Sequence, residues 1–439
     1  MTTLPLSWPE ITLGDLTAAT RPICYGVLKP GPFVVDGVPL LRIQDLAGNV
    51  ISTDEVHLMS EALDNEFERS RLEGGEVLLS IQGTIGRTAI VPASLCGANI
   101  SRTLAVIAPD DRLDRRLLYY YLQYLAWAGG YATGGSTRAS LNIGTIRSMV
   151  VPVPPRAEQA RMVTAIEEQL SRLDAAAAGI TRTRARVGQL TLDLIESRMA
   201  ALGSPTALEA LAQPGGITDG PFGSKLKSSH YTDHGPRVIR LENVGFGEFI
   251  DERTHISTDY FDELQKHEAQ GGDLVVASLV SDRLRACVVP QGLGPAIVKA
   301  DCIRVRLRPE MDPRFFNYAL MRPSLGAFVA ENIRGVGRSR LGLGNVRKLP
   351  VPDVPTEVQR EVAGELDHQL DLCSRVESQC ADAIGRSMLL RRSVLAAAFS
   401  GQLVPQDPDD EPASVLLERL RAKRGAVTST KRTRKVKAS

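Results

Sequence analysis

The chain repeats itself once at a spacing near 200 residues, and a period of that length means a duplicated domain rather than a solenoid unit. LNIGTIRSMVVPVPPRAEQ (141–159) lies over LGLGNVRKLPVPDVPTEVQ (341–359) at an offset of 200. Leu141, Gly144, Arg147, Val151, Pro152, Pro155 and Gln159 recur as Leu341, Gly344, Arg347, Val351, Pro352, Pro355 and Gln359. Earlier in each copy the offset is about 198, with GVPLLRI (37–43) over GPRVIRL (235–241) and RTAIVP (87–92) over RACVVP (285–290).

Each copy opens with short strands and turns. GGEVLLS (74–80) and GGDLVVA (271–277) lead from a Gly-Gly-acid turn into a run that predicts a buried strand, and LDRRLLYYYL (113–122) and MDPRFFNYAL (311–320) predict amphipathic helices. Arg42 and Arg240 fall mid-strand, as structural arginines or as contacts. After Pro155 and Pro355, Gly and Pro nearly stop, and 157–201 and 357–400 predict long helices. Their apolar stripes are Val163, Ile166, Leu170, Leu173, Ala177, Ile180 and Val187 in the first. In the second they are Leu366, Leu370, Cys373, Val376, Cys380, Ile384, Met388, Leu395 and Phe399. About 45 residues extend roughly 65 Å, beyond one globular domain. A single stripe needs a partner, and each copy supplies one of equal length. The expected fold is α+β: two tandem, duplicated mixed α/β domains joined by two long helices packed as an antiparallel coiled coil with pseudo-twofold symmetry.

Composition narrows the function. The 439 residues are 43% hydrophobic, and no stretch approaches the length of a membrane helix. MTTLPLSWPEITLGDL lacks a secretory pattern, which predicts a cytoplasmic protein. Six cysteines without a C-x-x-C pair, apart from the six histidines, predict neither structural zinc nor a disulfide framework. Residues 421–439 hold eight Lys/Arg and no acid, so a formal charge of +1 conceals an acidic remainder. Residues 1–150 are slightly acidic and 206–350 slightly basic, so neither copy attracts DNA strongly by net charge.

The two-copy layout resembles the specificity subunits of type I restriction-modification systems. The resemblance rests on the exits MVVPVPPRAEQARMVTAIEEQL and LPVPDVPTEVQREVAGELDHQL, and on the phrases DGPFGSKLKSS (219–229) and LAAAFSGQLVPQDPDDEPASVLLERLRAKR (395–424). It implies target recognition domains at 1–155 and 204–355, a central helix at 156–203 and a distal helix at 356–401. A C-terminal segment at 402–424 would pack back on the assembly, with a basic tail at 425–439. Each recognition domain would read half of a split, asymmetric DNA site. The helical pair would set the gap and dock two modification subunits, and restriction subunits would join to cleave. The resemblance also implies no catalytic centre and no cofactor on this chain: S-adenosylmethionine, and ATP with Mg2+, would sit on the partners.

The residues agree that chemistry lies elsewhere. A base-flipping adenine methyltransferase needs a glycine-rich cofactor turn and an Asn/Asp-Pro-Pro-aromatic loop, and neither is present. GPFGSK (220–225) misses the phosphate-loop pattern in spacing and in its final hydroxyl. PDD (109–111) and PDVPTE (352–357) have no Glu-x-Lys to follow, and serve better as helix-breaking turns.

Candidate DNA contacts fall in three loop pairs. TGGSTRAS (133–140) and RGVGRSR (334–340) offer Ser136, Thr137, Arg138, Arg338, Ser339 and Arg340 as donors, with a solvated hairpin as the other reading. CYGVLKPG (24–31) and DGPFGSKLKSSHY (219–231) offer Lys29, Lys225 and Lys227 for phosphates and Tyr25, Ser228 and His230 as readers, against surface turns. SIQGTIGR (80–87) offers Gln82, Thr84 and Arg87, while SLVSDRLR (278–285) loses both glycines and offers Arg283 and Arg285. Helix pairing falls to the stripes above, and the residual apolar surface at Leu190, Leu192, Leu194 and Ile195 is a docking candidate. Three other classes stay open: a self-contained endonuclease or methyltransferase, a coiled-coil scaffold, and the specificity subunit of an atypical modification system.

Overall fold

The computed structural model describes residues 5–418 apart from 6, 7, 19, 48, 49, 132–139, 223, 224, 282, 336, 416 and 417. The first repeat carries α1 (Glu61–Glu66), α2 (Arg115–Trp127) and α3 (Ile143–Ser148) before the long helix α4 (Arg156–Ala200). The second carries α5 (Thr258–Glu263), α6 (Pro313–Met321), α7 (Leu325–Asn332) and α8 (Leu343–Arg347) before α9 (Thr356–Phe399). The chain divides into two compact units, one drawn from 1–178 and 383–439, the other 179–382.

In the first unit an antiparallel sheet runs Cys24–Tyr25, Leu104–Ile107, Val77–Ser80, Thr88–Ile90. Its two central strands are buried throughout, which explains their unbroken apolar runs. Side chains alternate between faces. Val77, Leu79, Ala105 and Ile107 join Leu117, Leu118 and Leu122 of α2, while Leu78, Leu104 and Val106 face Leu41, Leu46 and Ile100. Leu41 and Ile100 belong to a smaller sheet in which Val38–Leu41 pairs antiparallel with His57–Met59 and parallel with Asn99–Ile100.

The second unit repeats this order. Its sheet runs Ala212–Asp219, Cys302–Leu307, Leu274–Ala277, Ala286–Val288, with α6 on one face through Phe315, Phe316 and Leu320. On the other face lies a sheet in which Tyr231–Ile239 pairs antiparallel with His255–Ile256 and parallel with Ala296–Val298. The duplicated sequence is thus a duplicated topology.

Arg42 and Arg240 are not mid-strand. Each stands just past a strand and opens a one-turn 3-10 helix, Ile43–Asp45 or Leu241–Asn243. The side chains of Asp45 and Asn243 accept their backbone N–H at 2.7 and 2.8 Å, which ends the strand there.

The long helices pair antiparallel within each unit. In the first, Met162, Val163, Ile166 and Leu170 pack with Leu395, Ala398 and Phe399, and Arg391 pairs with Asp174. In the second, Ile195 and Met199 pack with Ala363 and Leu366, and Arg198 lies 3.1 Å from Glu365. Leu173, Ile180, Val187, Leu194, Leu370 and Ile384 are half-buried. Val376 and Met388 depart from the expected stripe: they are exposed, Met388 to 58%; of the residual apolar surface offered for docking, Leu190 is exposed but Ile195 is fully buried in the helix pair. Cys373 and Cys380 of the expected stripe are buried, and Ser387 joins them, the three seven apart, the spacing of one coiled-coil seam.

Beyond α9 the chain turns at Gly401 and lays Leu403 and Val404 on the first unit's core. Asp410 pairs with Arg161 at 2.6 Å, and Ala413 is buried. Residues 425–439 lie outside the described residues. Among the described residues no helix is long and apolar enough to cross a membrane.

Candidate nucleic-acid interface

In each unit loops distant in sequence meet at one tight turn. In the second unit the turn is 299–301. Asp301 has φ 71, a conformation that non-glycine residues adopt rarely. Three hydrogen bonds hold it: Ser278 N–H to its carbonyl at 2.8 Å, Ser278 Oγ to Oδ1 at 3.3 Å, and Arg340 Nη2 to Oδ2 at 3.0 Å. The early loop backs onto the same turn at Gly220, where a Cβ would come within 2.1 Å of the Lys299 carbonyl carbon, and Lys299 Nζ reaches the Tyr231 hydroxyl at 2.5 Å. The late hairpin, Ile333–Arg334 with Arg340–Leu341, joins through Leu341 N–H to Ser278 O at 2.8 Å and Val280 N–H to Ser339 O at 3.0 Å.

In the first unit the turn is 101–103. A Cβ on Gly26 would lie 1.7 Å from Ile100 O, Arg102 N–H donates to Val27 O at 2.9 Å, Ile81 N–H to Thr103 O at 2.9 Å, and Leu141 N–H to Ile81 O at 2.9 Å. Gly26 therefore corresponds to Gly220, and exposed Leu28 to exposed Phe222. The loop 80–87 keeps its glycines for sterics: at Gly86, with φ 92, a Cβ would lie only 2.8 Å from the Ala126 methyl.

The candidates divide by what their side chains do. Tyr25, Lys29, Thr84, Lys225, Lys227, Ser228, Arg283 and Arg338 are exposed, while Gln82 and Ser339 are half-buried. Arg283 lies over the Phe246 ring, 5.2 Å from its centroid. Arg340 is exposed but ion-paired with Asp301. His230 is half-committed: its Nδ1 accepts the Lys227 N–H at 3.2 Å, and its ring lies 4.6 Å from that of Tyr260. Ser136, Thr137 and Arg138 lie outside the described residues.

Arg87 and Arg285, expected as DNA contacts, instead hold backbone. Arg87 Nη1 donates to Leu46 O at 3.0 Å, and Arg285 Nη1 to Leu241 O at 3.2 Å and Val244 O at 3.1 Å. The two copies use the same bond to secure the segment after the 3-10 turn, so their recurrence reports framework. Three exposed or half-exposed cations escaped the sequence reading: Arg102 and Lys299 at the central turns, and Arg334 on the late hairpin. For the first two, position just after the matching strands Asn99–Ile100 and Ala296–Val298 was the available signal.

The surface so built offers guanidinium, ammonium, hydroxyl and amide donors, the groups that hold phosphates and read base edges. Beside the late hairpin a groove of about 710 Å³ is lined by Asn332, Arg334, Arg338, Arg340 and Asn345. Burial pushes the Cys287 thiol up to about 12 and raises Cys24 despite three neighbouring arginines, so neither thiol is activated as a nucleophile. Among the described residues no cluster of three or more His, Cys, Asp or Glu is placed to hold a metal.

Comparison with known proteins points the same way. The family described as the type I restriction modification DNA specificity domain matches residues 33–184. The type I restriction enzyme EcoBI specificity subunit of Escherichia coli is 27% identical over 195 residues, 44% of this chain and 41% of that subunit, so the match spans less than half of that relative. The EcoKI specificity subunit of Escherichia coli K12 is 20% identical over 98% of each chain. A solved chain from a study of complex assembly and conformational transition in a type I R-M system superposes with a TM-score of 0.68 at 17% identity, covering 91% of this chain and 99% of its own.

Proposed function

We propose that this chain, which belongs with the type I restriction-modification specificity subunits, selects the DNA sequence on which partner subunits act. Each recognition domain reads one half of a bipartite asymmetric site, and the paired helices set the spacer and dock two modification subunits. Restriction subunits complete the cleaving assembly. S-adenosylmethionine, and ATP with Mg2+, belong to those partners, and the chain works in the cytoplasm without a catalytic centre of its own. The observation that carries this reading is the convergence of three donor-bearing loops on the turn at 299–301, matched in the first unit by the early loop and the loop 80–87 meeting the equivalent turn at 101–103. Duplicated topology with diverged loop residues is what two half-sites of different sequence require.

Isolated, the chain binds DNA weakly, because its recognition domains carry little net charge and the modification subunits supply much of the phosphate grip. The test is an exchange of residues 205–350 for the equivalent part of a relative. The modified site should change in one half and keep the other; a change in both halves would contradict independent reading.

A further inference from the structure

An exposed aromatic residue of the second unit stands against Arg283, and the sequence reading did not single it out. Phe246 is 47% exposed at the tip of the turn Gly245-Phe246-Gly247-Glu248. The turn is fixed. Gly245 N–H donates to Glu248 O at 3.0 Å, Gly247 N–H to Ala286 O at 2.9 Å, and the Asn317 amide to Gly247 O at 2.7 Å. Gly247 has φ 83, and a Cβ there would come within 2.4 Å of Met321 Sδ, so the turn seats closely on α6. The chain thus devotes a rigid, hydrogen-bonded turn to holding a phenyl ring in water.

The ring's surroundings indicate what it meets. Arg283 stacks over one side at 5.2 Å, and its loop is tied to the late hairpin through Leu279 and Val280. That hairpin carries Arg334 and Arg338 into the 710 Å³ groove. Glu248 is the acid of the turn itself, and on the hairpin side Asp301 already pairs with Arg340. An exposed ring stacked with Arg283, on a loop tied to the hairpin that carries Arg334 and Arg338, suits a partner that presents flat apolar surface between anionic rails. Duplex DNA does so, with base faces and thymine methyls between phosphates. In the first repeat the positions 198 residues earlier are Gly48 and Ile85, so the Phe-Arg pair belongs to the second copy alone.

Resting on the specificity-subunit reading, we propose that Phe246 is an apolar base contact of the second recognition domain, with Arg334 and Arg338 carrying the phosphate backbone past it. The ring adds discrimination and the arginines add grip. The test uses the complex reconstituted with the modification subunits of its own system, on duplex bearing the methylated site and on a scrambled duplex of equal length. Phe246→Ala should weaken site binding by about tenfold, leave scrambled-duplex binding within about twofold and keep the salt dependence unchanged. The Arg334→Ala/Arg338→Ala double variant should weaken both duplexes and lower the slope of log affinity against log salt by nearly two, at about 0.9 per phosphate contact. Phe246→Leu, which keeps apolar bulk and loses the flat ring, should fall between wild type and Phe246→Ala and controls for any loss of assembly. Equal site binding by wild type, Phe246→Ala and Phe246→Leu would overturn the proposal while leaving the specificity-subunit reading intact. Absence of any bipartite methylation by the wild-type complex would instead overturn that reading.

Discussion

Gln159 and Gln359 show what a repeated residue is for. Each is fully buried at the start of a long helix, and each Oε1 accepts a backbone N–H from the N-cap aspartate of a helix in the adjoining domain: Asp114 at 2.8 Å, Asp312 at 3.0 Å. Each Nε2 returns to a Pro-exit carbonyl, Pro154 O at 2.9 Å or Val354 O at 2.8 Å. One side chain therefore clamps the N-termini of two helices, which is why Gln, with both donor and acceptor, stands there. Arg116 with Glu167 and Arg314 with Asp367 repeat the link at the surface. Gln359→Ala leaves buried groups unpaired, and each costs about 1–3 kcal/mol. Denaturant unfolding should show a loss of that order, with Arg172→Ala, which removes only an exposed pair with Glu168, costing well under about 1 kcal/mol. Recurrence of the glutamines was legible in the sequence; the partner of Gln359 lies 47 residues upstream, across a fold that spacing alone does not reveal, and so their task was not. Arg87 and Arg285 make the same point in reverse, since a charge recurring in a loop resembled a contact until the carbonyls it holds became visible.

At the scale of elements, the long helices were readable almost to the residue, because the proline exits fix where they begin. Their seam was readable only in part. Apolarity drew Val376 and Met388 into the stripe beside Cys373 and Cys380; geometry buries the two cysteines, adds Ser387, and leaves Val376 and Met388 in water. Small residues at close-packed helix positions give a weak hydropathy signal, and periodicity over a looser stripe cannot choose between registers one residue apart. The seam is testable by stability. Leu366→Ala, at a fully buried position, should cost about 2–5 kcal/mol, while Met388→Ala should stay within about 0.5 kcal/mol. Equal costs would place the seam where the stripe first suggested. Leu389 and Leu390, beside Met388, are exposed as well. The sheets were harder to read. Strands of two to four residues carry too little pattern to show order, and Arg42 and Arg240 slipped from strand interior to strand end for want of a turn signal beyond a lone Asp or Asn.

For the molecule as a whole, duplication was the legible fact, and it carried the fold class, while the function class rested on the resemblance of the motifs. The candidate surface was half legible. Loops were placed correctly relative to the strands, but the turns that gather them, at Arg102 and at Lys299–Asp301, emerged only from hydrogen bonds between distant segments. The central claim is that this chain decides where others modify DNA. Its most direct test is to map methylated adenines in the genomes of cells with and without the gene. The account predicts a split motif, two short half-sites about a fixed gap, that vanishes when the gene is deleted and returns when it is restored. A methylation pattern identical in both cells, or a lost motif that is continuous rather than split, would contradict it.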